Sequence, residues 1–232
     1  MAARDHLSDR RTYKILTPAA QSAVHHHLKQ MIERWLQTHK KSTTKMERSF
    51  IRHGLKHNKS PFARFYLTLK AHKLKPGQDV RHLKSRPIVS CPGSLLHHLG
   101  IWVDRKLQVV AQKQQSYFRN SFALRQQLAN TFCPIRSKLF IGDAISMYTK
   151  IPTMYGTATV GRHLRRYRDT QDRNFPLDAV KEALSMVMHN NIFTFSDTTF
   201  QQIEGTAMGT PPAPPYATLY YGAYEDMFLP AY

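Results

Sequence analysis

The chain has 232 residues, of which 41% are hydrophobic, enough for a packed core and against wholesale disorder. Lys and Arg number 34 against 15 Asp and Glu, a formal net charge of +19, which repels itself in a compact state and calls for a polyanion: nucleic acid first, an anionic membrane surface second. No apolar span is long enough to cross a bilayer and no signal-peptide pattern follows Met1, which argues against membrane insertion.

Taken in chain order, the first dozen residues are polar and charged and are expected to be poorly ordered. Thr17-Pro18 reads as a helix N-cap followed by proline at the first helical position. Val24, Leu28, Met31, Ile32 and Trp35 then recur at helical spacing to about Thr38. Residues 40–60 are basic and irregular, with a short helix expected from Met46 to Leu55. "RFYLTLK" (Arg64 to Lys70) and "RPIVSC" (Arg86 to Cys91) have strand composition, and Pro76-Gly77 between them marks a turn. They predict a hairpin with a basic tip carrying Lys70, Lys73, Lys75, Arg81, Lys84 and Arg86.

Leu95 to Gln112 predicts a helix with Leu95, Leu99, Trp102, Val103, Leu107 and Val110 on one face, and Ser121 to Asn130 a second. Leu139 to Asp143 reads as a buried strand. Helices are predicted from Gly156 to Tyr167, Leu177 to Asn190 and Tyr216 to Phe228. A second hairpin turns at Ser196-Asp197, and "TAMGTPPAPP" forms a Gly/Pro loop before the last helix. Hairpins mixed with helices define an α+β fold, divided into a basic segment with one helix (residues 1–60) and a larger unit (residues 61–232).

The two cysteines, Cys91 and Cys133, make no CxxC pair and no disulfide framework, which fits a reducing nuclear or cytoplasmic compartment. His25, His26 and His27 point about 100° apart on a helix and cannot easily share an ion, and His97-His98 has the same problem; both clusters read as solvated helix faces.

Three segments carry chemistry. In "LFIGDAISMYTKIPT", Asp143 is the one acid between Asp104 and Asp169. It is either a turn-capping carboxylate or a ligand for Mg²⁺, which takes oxygen from one or two carboxylates and substrate phosphates. "FQQIEGTAMGTPPAPPYATL" holds Gly205 and Gly209 ahead of a proline-led helix start, a pattern that permits close backbone approach to a ligand. In "FYLTLKAHK" followed by "RPIVS", Arg86 can grip phosphate bidentately, whereas Lys73, Lys75, Arg81 and Lys84 read as a solvated face.

Taken in chain order, "FYLTLKAHK", "RPIVS", "DAISMYTKIPT" and "GTAMGTPPAP" resemble the fingers and palm of reverse transcriptases, nearest the Penelope-like retroelements and related to telomerase-type polymerases. The likeness runs from about Arg64 to the C-terminus, and the first 60 residues match nothing nameable. It implies fingers and an incomplete palm, acting as an RNA-directed DNA polymerase on an RNA template, a DNA primer and deoxynucleoside triphosphates, with Mg²⁺ or Mn²⁺. By resemblance, Asp143 is a catalytic carboxylate and metal ligand, and Tyr148 lies under the incoming sugar and discriminates against a 2′-hydroxyl. Arg86 and, more weakly, Lys70 hold the triphosphate, while Gln202, Gly205, Met208 and Gly209 line the nucleotide pocket. Lys73, Arg162, Arg165 and Arg166 are candidate nucleic-acid contacts, the last three equally a solvated helix face.

The family palm also requires two adjacent aspartates on a further hairpin, and no Asp-Asp occurs here; Glu225-Asp226 falls in the helix after the Gly/Pro loop. Leu69, Lys150 and Thr218 also depart from the usual Pro, Asn and Asn. The resemblance therefore implies a fragment, with a non-catalytic nucleic-acid-binding remnant as the alternative.

Overall fold

The computed structural model describes residues 2–71, 77, 79, 83–138 and 140–228. Their sheet has five strands: β1 (Tyr13–Leu16), β2 (Ala63–Leu69), β3 (Ser85–Ser90), β4 (Asn191–Phe195) and β5 (Thr198–Gln202), in the order β1-β5-β4-β2-β3. β2 and β3 form the expected antiparallel hairpin, with Thr68 opposite Arg86. β4 and β5 form the second, turning through Ser196 at φ 51. β2 joins the two hairpins by running parallel to β4, Ala63 beside Phe193. This mixed sheet with helices is an α+β fold.

Side chains alternate across the sheet, as the two-residue period of a strand requires. Ile192 points into the larger core and Phe193 into the smaller one. On the smaller side Tyr13, Phe200, Phe193 and Phe65 lie in a row across four neighbouring strands; Phe193 stacks on Phe65 at 5.3 Å and on Phe200 at 5.8 Å. α1 (Ala2–Leu7) covers part of this face through Leu7.

The larger core is built by α2 (Pro18–Thr38), α3 (Lys45–Lys56), α4 (His97–Ala111), α6 (Thr153–Thr170), α7 (Leu177–His189) and α8 (Ala213–Phe228). Thr17 caps α2, its hydroxyl accepting from the Ala20 N–H, with Pro18 at the first position as predicted. α3 starts on a capping box, Thr44 Oγ1 accepting from the Glu47 N–H and the Glu47 carboxylate accepting from the Thr44 N–H. The Trp35 indole N–H donates to the Ala179 carbonyl at 3.0 Å, tying α2 to α7.

Four expectations need correction. Residues 2–12 belong to the fold: α1 and the following β1 bury Leu7 and Tyr13, and β1 extends the sheet by pairing with β5. Their polar residues hid two apolar anchors at the spacing a turn supplies. Residues 2–60 accordingly hold three helices and a strand, and their side chains enter the same core as the rest. His97 and His98 are half-buried rather than solvated; the His98 ring lies 4.7 Å from Phe50, against Gly54, where an added Cβ would collide with it. Burial pushes both imidazoles below the usual range, aided at His97 by His98 and at His98 by His53.

The fourth correction concerns Leu139 to Asp143. Residues 140–143 form no strand and are exposed, with Phe140 at 90% and Ile141 at 82%. A strand apolar on both faces needs partner strands and cover on both sides. Here β2 sits directly beside β4, so the sheet offers no interior place. The preceding helix α5 (Ser121–Ala129) forms where expected but buries no residue.

Candidate nucleotide and nucleic-acid site

The Gly/Pro loop is the joint of the molecule. Gly205 has φ +80, and an added Cβ would lie 2.9 Å from the Thr149 carbonyl oxygen. Gly209 has φ +106, and its Cβ would lie 2.5 Å from the Val89 carbonyl oxygen. Both positions combine a left-handed backbone with a close backbone neighbour, so glycine is required twice. Between them the Thr206 N–H donates to the Tyr148 carbonyl at 2.8 Å, and the Val89 N–H donates to the Met208 carbonyl at 2.7 Å. The loop thus satisfies the outer edge of β3 on one side and the 3-10 turn Tyr148–Lys150 on the other. Segments that are widely separated in the chain meet there through backbone contacts.

Side chains the sequence did not single out fix the loop further. Thr153 opens α6; its N–H donates to the Glu204 carboxylate at 3.2 Å and its hydroxyl to the Gly205 carbonyl at 3.3 Å. A carboxylate at a helix N-terminus is favoured by the orphan N–H groups and the helix dipole. The loop's far end is held by the Thr210 hydroxyl, which donates to the buried Asn191 side chain at 3.2 Å. Burial of Cys91 beside Thr210 pushes its thiol up to about 11, which keeps it protonated and inert. No local signal pairs Glu204 with Thr153 or Asn191 with Thr210, because each pair joins distant segments.

Of the expected nucleotide contacts, Tyr148, Gln202, Gly205, Met208 and Gly209 are brought to this joint. Tyr148 is half-buried against the larger core, and desolvation pushes its phenol above the ordinary value. Gln202 is buried and its amide donates to the Glu204 carbonyl at 3.0 Å, so this side chain shapes the loop from inside. Arg86 lies on β3 three residues before Val89 and is exposed. The Lys70 N–H closes the hairpin on the Lys84 carbonyl at 2.8 Å. Lys73 lies outside the described residues, as do Lys75, Arg81 and Leu139.

On α6, the Arg162 guanidinium lies over the Tyr155 ring at 5.8 Å, Arg165 is exposed, and Arg166 pairs with Asp226 of α8 at 3.3 Å. Among the described residues Arg162 and Arg166 are thus engaged by neighbours, whereas Arg165 shows no partner.

Asp143 is not held at a strand end. It is exposed on the irregular segment before the 3-10 turn. Among the described residues no three His, Cys, Asp or Glu side chains converge on a point where an ion would sit. The described residues alone do not assemble a two-ion site.

The fold and joint define an α+β protein in which a basic hairpin, a glycine loop and a tyrosine-bearing turn are locked together. No family model matches the chain, and neither a curated protein nor a solved structure matches it either. No helix among the described residues is long and apolar enough to cross a membrane.

Proposed function

We propose that the chain is the nucleic-acid- and nucleotide-holding part of a reverse-transcriptase-like polymerase, the fingers with part of the palm. The observation that carries this reading is the joint itself: the Gly205–Gly209 loop is hydrogen-bonded to both Val89 of the hairpin and Tyr148 of the turn. Such a joint ties the strand that carries Arg86 to the turn that carries Tyr148, the kind of linkage that positioning of a triphosphate and its sugar demands. The positive surplus supplies affinity for template and primer backbones. The bond-making step needs carboxylates beyond Asp143 and is not assigned to these residues.

The test is ternary-complex formation on a primed RNA template with a chain-terminated primer. The next complementary deoxynucleotide is expected to slow dissociation more than the other three, and Arg86→Ala to remove that advantage. Equal effects of all four nucleotides would sink the reading. The lone exposed Asp143 favours a second reading, a nucleic-acid binder without polymerase activity. Primer extension that is present in the parent chain and lost in Asp143→Ala would overturn that second reading.

A further inference from the structure

A cavity of about 760 Å³ opens between α2 and α3, far in sequence from the loop joint and sharing no residue with it. Its walls are single stripes of two helices. α2 contributes His25, Lys29, Glu33, Leu36 and Gln37, spaced by three or four residues or adjacent, as one helix face requires. α3 contributes Arg52, Leu55 and Lys56, followed by Asn58, with Leu95 closing the floor. Leu36, Leu55 and Leu95 are buried, whereas Lys29, Arg52 and Lys56 are exposed at the rim. None of these three cations makes an ion pair among the described residues. Three cations against the single carboxylate of Glu33 leave the groove positive.

This arrangement has a definite chemistry. The volume falls in the range of small-molecule and cofactor pockets, about 300–1,000 Å³. An aliphatic floor accepts the face of a base or sugar, the Gln37 and Asn58 amides can donate to and accept from a base edge, and the rim cations suit phosphate. A concave site also fits a nucleotide better than the plane of a membrane surface. We propose that the α2–α3 groove binds a phosphate-bearing nucleotide of single-stranded nucleic acid, a second contact in the part of the chain that carries no family likeness.

The experiment is fluorescence anisotropy of the full chain with a labelled single-stranded RNA of about 15 nucleotides, a length within reach of one binding groove. It compares the triple variant Lys29→Gln, Arg52→Gln, Lys56→Gln with a control triple, Lys40→Gln, Lys41→Gln, Lys45→Gln, whose residues are exposed but outside the groove. Each lost phosphate contact lowers the log–log salt slope by about 0.7, so the groove triple is expected to flatten it by about 2 and weaken binding roughly 100-fold at 0.1 M salt. The control is expected to move the slope by less than half as much. Equal shifts from both triples overturn the proposal, because diffuse charge would then explain binding. In the parent chain, 4-thiouridine crosslinks are expected in the peptides spanning residues 25–37 and 52–58, and crosslinks confined to other peptides also overturn it. Mixed nucleoside triphosphates or phosphatidylserine vesicles that displace the RNA as well as unlabelled RNA does, at matched phosphate, would reassign the groove to free nucleotides or to lipid. The readout is binding alone, so loss of polymerase function leaves it standing.

Discussion

Single residues at the joint carry a disproportionate share of the architecture. Gly77 and Gly209 offer a controlled comparison, since both have positive φ, +76 and +106. Among the described residues nothing lies within 4 Å of a Cβ at Gly77, so Gly77→Ala is expected to meet the backbone penalty alone, about 1 kcal/mol. At Gly209 the same Cβ meets the Val89 carbonyl at 2.5 Å, on a strand paired along its whole length with β2. Gly209→Ala is therefore expected to cost about 3 kcal/mol or to spring the loop from β3. Urea unfolding midpoints for the two variants measure the difference. Equal costs would mean that the loop does not press on β3 in solution. In the sequence Gly205 and Gly209 read as sites of close approach to a ligand, whereas their close neighbours are the chain's own Thr149 and Val89 carbonyls. What each approaches was not legible, because Thr149 and Val89 lie far away along the chain.

At the scale of elements, α3 and α5 show opposite outcomes for sequences that both predict helix. α3 is nucleated by its capping box and anchored by Ile51 and Leu55. Burial would push the Glu47 carboxyl up, but the Thr44 N–H and the Lys106 ammonium at 2.9 Å pull it down further, to about 2. A carboxyl whose pKa is lower in the folded than in the unfolded chain adds stability above its unfolded value and loses it as pH falls toward the folded one. Glu47→Gln is thus expected to lower stability by about 1 kcal/mol at pH 7, after allowing for screening of a partly exposed pair. The gap should close as pH drops from about 4.5 toward 2. A gap that persists unchanged to acid pH would assign the effect to packing. α5 has nine residues, an Asn120 cap accepting from the Ala123 N–H, and no buried side chain. Isolated helices shorter than about 12–15 residues are marginal in water, so its amides are expected to exchange with deuterium much faster than those of α7. Protection of Ser121–Ala129 equal to that of α7 would reveal cover absent from this fold. Residues 140–143 fail as a strand for a related reason: an apolar run states a need for partners without supplying them.

For the whole molecule, periodicity revealed most helices and both hairpins, because those signals are local. The parallel pairing of β2 with β4 and the added strand β1 were not legible. Four residues, Tyr13 to Leu16, with two side chains buried, are too short to stand above the surrounding polar sequence. The same blindness to long-range contact set residues 1–60 apart as a basic segment, whereas Trp35 reaches 144 residues along the chain to Ala179. Trp35 is wholly buried, with its ring 4.9 Å from Trp102 of α4. Trp35→Phe removes the indole N–H and leaves the Ala179 carbonyl without its partner, an expected cost of about 1–3 kcal/mol. Trp35→Ala adds a cavity at the junction of α2, α4 and α7, and is expected to cost about 3–5 kcal/mol. If the N-terminal helices belong to one cooperative unit, tryptophan fluorescence, which reads this junction, and far-ultraviolet circular dichroism, which reads every helix, will give one urea transition in the parent chain and shift together in both variants. An early fluorescence transition, with most helical signal retained, would instead mean that α2 and α3 detach from a still-folded sheet and α7. The groove between them would then be a feature of a separable arm, and its contact with nucleic acid would respond to Trp35 substitutions without any change at the loop joint.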